Sequence, residues 1–484
     1  MGLATDLDAC LPQGLDLRVD VVAVEPERGA AGRLNLLDLS QAERERAQAE
    51  KHERVAETVL LLEPEAFAVE RDGPRQVGCV ADRKRVAEGQ TGLIPPPMLE
   101  EMTQTESAQE LALEAEQNVT ALELFFDLVF VFSITQVTAF LYHDPTWLRL
   151  VEALAVLMAL WFAWSGYAWL GNTAGTDEGA VRVVLLGVMG PLLVASLAVP
   201  NAFGEHALLF GCAFFVVRAM HLVAYGVLSR GDPRLSSVVA RLARTMLPAA
   251  ILLVVAGAVP GTGRALCWAA ALAIDYGGLW LGGTENWRVN ATHFAERHRL
   301  IIIIALGESI VALGVGTARL GIGVVVAALL GVAVAAALWW VYFDVVATVA
   351  ERKLREADEA IRARMARDSF TYLHLPMLTG IVVFAFGVKA TLAHVSTHLD
   401  SVPAASLTGG VALYLLALST LKRRNIGSWN VPRLVAAAVL AILAPVATQL
   451  PALASLGLVG AASCGLVAYE TWRYAEARAR IRHS

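Results

Sequence analysis

The chain has 484 residues, 56% of them hydrophobic and only 17% charged, with a mean hydropathy of +0.55; a soluble domain carries roughly 25% charged residues. The formal net charge of −6 hides a division, since residues 1–120 hold 24 Asp/Glu against 12 Lys/Arg and the remainder hold 21 against 27. Beyond residue 120, apolar runs of about twenty residues recur, each long enough to cross a ~30 Å hydrocarbon core as a helix, which excludes a soluble enzyme, a nucleic-acid binder and a secreted scaffold.

Residues 1–117 read as a polar, acidic extension in which few apolar residues recur at a fixed period. Up to about residue 101 it is expected to be disordered, or to lie ahead of a second start at Met98 or Met102. A basic stretch followed by an apolar one is missing from the first thirty residues, so no cleavable signal peptide is expected, and Asp6 breaks the myristoylation pattern. Cys10, Cys79, Cys212, Cys267 and Cys464 are scattered and form no CxxC pair, so no disulfide framework or zinc site is expected.

Twelve candidate spans follow, at about 121–142, 147–170, 180–200, 207–229, 240–259, 263–281, 300–317, 321–343, 371–394, 403–421, 432–450 and 451–474. They predict an all-α, polytopic integral membrane helix bundle of about 12 transmembrane helices over residues 118–474, with a basic cytoplasmic tail at 475–484. The last two spans meet at Leu450–Pro451 as a tight hairpin. One alternating set of connections, together with the tail, carries 22 Lys/Arg, including Arg297 and Arg299; the opposite set carries only Arg149, Arg264 and Arg319. By the positive-inside rule both termini are cytoplasmic, in a bacterial cell membrane. Between spans eight and nine, Val349, Leu354, Ala357, Ile361 and Met365 recur at helical spacing among charges, which predicts an amphipathic helix against the cytoplasmic face.

Spans one and seven share an outline. Glu123 opens ELFFDLVFVFSITQV and Glu296 opens ERHRLIIIIALGESIV, with Thr135 and Glu308 twelve residues on. The following spans end alike, in ALWFAW and ALWWVY. A shift of six spans would make a 6+6 parallel repeat about an axis along the membrane normal; aromatic belts that give any two spans similar ends are the plainer explanation.

A charge at the centre of a span costs about 2.5–3.5 kcal/mol on insertion scales, so each one asks for a partner or a purpose. Counting residues into each span places Asp127, Arg218, Asp275 and Glu308 in one slab, with His221 one turn from Arg218. Three carboxyls then stand against one obligate cation, Arg218, to which Glu308 lies nearest in depth. A surplus acid must be protonated, hydrated or occupied by a cation, the composition of a proton relay or cation pathway. A buried ion-pair network that merely fixes helix register is the competing reading.

Gly307, Gly314 and Gly316 remove bulk beside Glu308, so that a neighbouring backbone or an ion can approach, and Ser309 follows it. Asp127, Ile134 and Thr138 share a face while Gln136 points away, which predicts that span one is enclosed by other helices. Glu123 and Asp344 are placed at the cytoplasmic boundary near water, Lys389 snorkels outward, and His293 and His298 fall in a loop. No HExxH, P-loop, dinucleotide fingerprint or nucleophile elbow occurs, so no metal, no cofactor and no enzymatic activity are expected.

At these residues a resemblance emerges. ELFFDLVFVFSITQVT at 123–138, HFAERHRLIIIIALGESIVALG at 293–314 and YLHLP at 372–376 resemble the bacterial low temperature requirement A family; VVRAMHLVAYG at 216–226 and ALWWVYFD at 337–344 are similar to its corresponding segments. The resemblance runs from about residue 118 to the last span. It implies a multi-pass bacterial membrane protein named for a requirement during growth in the cold, with no agreed substrate or reaction. The family's motif residues fall on Glu123, Asp127, Arg218, His221, Glu296, Gly307, Glu308 and Ser309.

The function expected from these residues is a cation- or proton-linked transporter or channel. Asp127, Asp275 and Glu308 would be its carboxyl path, Arg218 the counter-charge and His221 a relay. The alternative is a non-transporting protein of cold adaptation or membrane homeostasis, whose buried charges are structural. A membrane-embedded enzyme acting on lipid ranks last, because no nucleophile–base pair is recognisable. The expected partners are the lipid bilayer, a small cation or proton and a second copy of the chain, with no nucleic acid.

Overall fold

A computed structural model of the chain describes residues 119–173, 179–314, 321–476 and 478. The extension expected at 1–117 and most of the tail expected at 475–484 lie outside the described residues.

The described residues form fourteen α-helices: α1 Ala121–His143, α2 Trp147–Thr173, α3 Gly179–Ala198, α4 Ala207–Leu228, α5 Pro233–Ala258, α6 Thr262–Leu281 and α7 Ala291–Gly314, then α8 Ile322–Phe343, α9 Val346–Glu356, α10 Glu359–Met365, α11 His374–Ala393, α12 Ser401–Ile426, α13 Val431–Ala447 and α14 Ala452–Arg473. The one β-type pairing among the described residues is an isolated bridge between His398 and Pro451. This is the all-α membrane bundle that the apolar runs predict. Nine helices of the described residues are long and apolar enough to cross a membrane. The segments expected as spans six, seven and eleven are also helical, as α6, α7 and α13, but fall outside that measure.

Two helix starts differ from the hydropathy reading. Asp232 caps α5 by accepting from the backbone N–H groups of Arg234 and Leu235, so that helix begins seven residues before the expected 240. Asn290 caps α7, its Oδ1 accepting from the His293 N–H, so α7 begins at Ala291 instead of 300. A side-chain acceptor at a helix start satisfies otherwise orphaned donors and sets the boundary regardless of hydropathy. Residues 293–299 therefore belong to a helix, and a loop assignment for them fails.

The amphipathic segment after α8 is helical but broken. Ala357 takes an extended conformation (ψ 145°) between α9 and α10. Leu354 and Met365 are buried as the spacing predicts, whereas Ile361 is exposed. A π-helical turn at Ala366–Tyr372 then leads into α11. The hairpin at Leu450–Pro451 is tight, with α13 and α14 separated by four residues and Ser455 donating to the Ala447 carbonyl.

α11 and α12 are the most enclosed of the apolar helices. They touch through glycine. A Cβ on Gly380 would lie 2.6 Å from the Gly410 carbonyl oxygen, and one on Gly410 would lie 2.7 Å from the Gly380 carbonyl oxygen; small residues let membrane helices approach this closely. Outward-facing side chains such as Leu128, Leu281, Ile322 and Trp472 are more than half exposed, as lipid-facing residues would be. α1 shares this pattern. Leu124, Phe125 and Leu128 are exposed on one side while Asp127, Ile134 and Thr138 are buried on the other, so the expectation that span one is wholly enclosed is corrected.

Candidate functional site

α1 and α7 pack side by side and parallel. Glu123, Asp127 and Thr135 on α1 meet His293, Arg297 and Glu308 on α7 in that order. Side chains four residues apart stack on one helical face. The pairs Glu123/Asp127 and His293/Arg297 therefore form two facing ladders of one turn each, an acidic rung set opposite a basic one.

Glu123 sits in the first turn of α1, where Thr120 and Glu123 form a capping box. Its Oε2 accepts from the Thr120 N–H at 3.0 Å and from His293 Nε2 at 3.0 Å. A carboxylate can only accept, so Nε2 of His293 carries the hydrogen. Glu123 Oε1 lies 2.8 Å from Arg297 Nη1, and Arg297 Nη2 donates to Asp127 Oδ1 at 2.7 Å. Trp164 of α2 donates its indole N–H to the same Oδ1 at 2.8 Å. Asp127 Oδ2 meets no donor among the described residues, and neither does His293 Nδ1. All four ionisable side chains are buried; Glu123 and Asp127 have no exposed surface.

The charge balance of this group is odd. Two carboxylates share one guanidinium, so the site carries a net charge of −1 unless it holds one further proton. Neither carboxylate has exposed surface, and an uncompensated buried charge is costly. Asp127 Oδ2, which meets no donor among the described residues, is where that proton can reside. Groups coupled this closely bind it as a unit.

Aromatic rings wall the site. His298, one residue beyond Arg297, lies edge-on to Trp164 at 5.2 Å and to His374 at 5.3 Å. Its Nδ1 donates to the Phe294 carbonyl, which leaves Nε2 as an acceptor without a partner among the described residues. His374 is fully engaged, donating from Nδ1 to the Ser369 carbonyl and accepting at Nε2 from the Tyr342 hydroxyl.

The other expected residues divide between two further places. Arg218 pairs with Asp275 at 2.8 Å, joining α4 to α6, and stacks over the Phe162 ring at 5.0 Å. His221 donates from Nε2 to the Gly166 carbonyl at 2.9 Å. The expected match between Arg218 and Glu308 is thus replaced by a match with Asp275, because α6 rather than α7 faces that side of α4. Glu308 instead accepts from the Thr135 hydroxyl at 2.7 Å and lies within electrostatic reach of Lys389. Lys389 packs over the Tyr142 ring at 4.5 Å. Thr135 is eight residues beyond Asp127, about 12 Å along the helix, so Asp127 and Glu308 occupy different depths and not one slab.

The supporting residues scatter. Glu296 accepts from the Val119 N–H outside the cluster. Ser309 donates to the Leu306 carbonyl of its own helix. Among the described residues no neighbouring heavy atom lies within 4 Å of where a Gly307 Cβ would be, so none of their backbones approaches there. Asp344 forms an ion pair with Arg478, which closes it off from the water expected around it. Glu123 is likewise buried instead of lying at a wet boundary. Among the described residues no group of three or more His, Cys, Asp or Glu could hold a metal ion.

Hydropathy counting missed Arg297, His293 and Trp164. The signal available was the i, i+4 spacing of His293 and Arg297, which repeats that of Glu123 and Asp127. The family model described as bacterial low temperature requirement A protein (LtrA) matches residues 118–468. An uncharacterized protein of Rhizobium meliloti (strain 1021) is 30% identical over 317 residues, covering 62% of this chain and 76% of its own. No solved structure matches.

Proposed function

We propose that this chain, which belongs to the bacterial low temperature requirement A family, is a proton-linked membrane transporter. The proton is held by the Glu123–Asp127–His293–Arg297 cluster between α1 and α7. The observation that carries this reading is the pair of buried carboxylates on one guanidinium, with no donor to Asp127 Oδ2 or His293 Nδ1 among the described residues. Ionisable groups inside a bilayer mark ion and proton pathways as a class. Glu308 is the second proton-binding carboxyl, nearer the opposite end of α1 and α7. The Arg-rich connections support a bacterial cytoplasmic membrane with both termini inside, and in that orientation the four-residue cluster would lie toward the cytoplasm. A 6+6 parallel repeat accords with α1 and α7 packing parallel. Growth in the cold is the physiological setting that the family's name suggests.

A purely structural role has its own support in the Arg218–Asp275 pair, where one acid meets one base and their charges balance. We assign that pair to helix register and remove it from the path.

Purified protein in liposomes loaded with a pH-sensitive dye tests the proposal across an imposed pH gradient. Asp127→Asn and Glu308→Gln are expected to abolish dye response while the protein still assembles. A wild-type response equal to that of empty liposomes, or full flux in both variants, refutes it.

A further inference from the structure

At the end of the bundle where α14 finishes, α8, α9, α12, α13 and α14 leave a cavity of about 460 Å³ between them. Ligand pockets typically span roughly 300–1,000 Å³. One wall is apolar, made by Val341, Val345, Val349, Leu421 and Ile426. The other is ionic and nearly balanced. Arg433 grips Glu470 with two parallel hydrogen bonds of 2.8 Å, and Arg478 is paired with Asp344. Two lysines of the same lining, Lys353 and Lys422, add charge that these pairs do not offset. Lys422 makes no ion pair among the described residues, and Lys353 meets only Glu356, in an exposed contact of the kind worth little.

Three features together define the occupant. The cavity lies where α8 and α14 end and α13 begins, at the ends of two helices long and apolar enough to cross a membrane. It joins an apolar wall to two spare positive charges. α9, which contributes Val349 and Lys353, is an amphipathic helix set at this same end. A purely polar anion would leave the valine wall without a partner, and a neutral lipid would leave both lysines without one. We propose that this cavity binds an anionic phospholipid, its phosphate between Lys353 and Lys422 and the glycerol end of its acyl chains against Val349 and Ile426. Basic pockets between membrane helices hold acidic headgroups by this chemistry.

The test uses the full chain in detergent micelles, with thermal unfolding followed as phosphatidylglycerol, phosphatidylcholine or inorganic phosphate is added. Phosphatidylglycerol is expected to raise the unfolding midpoint of the wild type well above the rise given by phosphatidylcholine, because a ligand bound to the native state alone stabilises it. The K353Q/K422Q double variant should lose that excess. Val349→Trp, which fills the apolar side and leaves both charges in place, should lose it as well. Both variants must show wild-type helicity before lipid is added, and substitutions at these partly exposed positions preserve it. The proposal is overturned if either folded variant keeps the full excess, if phosphatidylcholine matches phosphatidylglycerol, or if inorganic phosphate alone gives the whole effect, which would mark a free-anion site. Proton flux plays no part in this readout, so the result stands apart from the transport proposal.

Discussion

Trp164 donates its indole N–H to Oδ1 of Asp127 at 2.8 Å, the oxygen that Arg297 also holds. The two donors occupy one carboxylate oxygen and leave the other bare. α2 thereby helps to fix the orientation of the acid on α1, and the second oxygen meets no donor among the described residues. Trp164→Phe keeps an aromatic ring at this buried position but removes the donor together with part of the indole. A hydrogen bond to a charged group is worth about 1.5–3 kcal/mol, and the thermal midpoint in detergent should fall accordingly. A midpoint unchanged from the wild type would contradict the role given to this indole.

Arg218 and Asp275 make a separable prediction. Removing one member strands a buried charge, at a cost of about 3–5 kcal/mol, whereas replacing both with apolar residues is often neutral. Arg218→Leu and Asp275→Leu should each destabilise strongly, and the double variant should recover most of the loss. If the pair serves only register, the double variant also retains proton flux. Flux abolished in a stable double variant would return Asp275 to the path.

His221 depends on the absence of a side chain at Gly166. A Cβ there would lie 3.1 Å from His221 Cε1 and 3.2 Å from Nε2, tighter than ordinary contact. Gly166→Ala should displace the imidazole and break its bond to the Gly166 carbonyl, costing roughly 1–3 kcal/mol as overpacking does. Adding His221→Ala should relieve most of that penalty, so the two substitutions will be non-additive in unfolding measurements.

The glycine contact between α11 and α12 gives a sharper contrast. Alanine at Gly380 meets backbone atoms at 2.6 and 2.9 Å, which cannot rotate away. Gly380→Ala should lower the midpoint and the yield of folded protein, by roughly 1–3 kcal/mol in stability. Gly226→Ala, on α4 with nothing within 4 Å, should be neutral or stabilising by up to ~1 kcal/mol, since alanine favours a helix interior. Equal effects at the two positions would show that close approach is not what Gly380 provides.

The fold was largely legible because lipid imposes one solution: every long apolar run in the described residues became a helix, as a bilayer requires. The positions of Asp127, Asp275 and Glu308 inside helices followed from the same runs. Their partners did not follow. Hydropathy weights a charge against membrane insertion, so a counting window discards His293 and Arg297, which the fold buries by pairing them with Glu123 and Asp127. Depth along one span also says nothing about which neighbour it faces, and Arg218 accordingly pairs across α6 and not α7. Trp164 gave no signal of its own, since an aromatic residue in a span is usually just packing.

The two ladders draw their rungs from different helices, and this gives the cluster a mechanical meaning. If α7 moved one turn along α1, about 5.4 Å, Arg297 would face Glu123 alone and Asp127 would stand opposite Ile301. With only the Trp164 indole left to it, an ionised Asp127 against isoleucine would be costly, and neutralising it would lower that cost. Sliding and proton uptake are then coupled, like a pawl that lifts more easily when its tooth is covered.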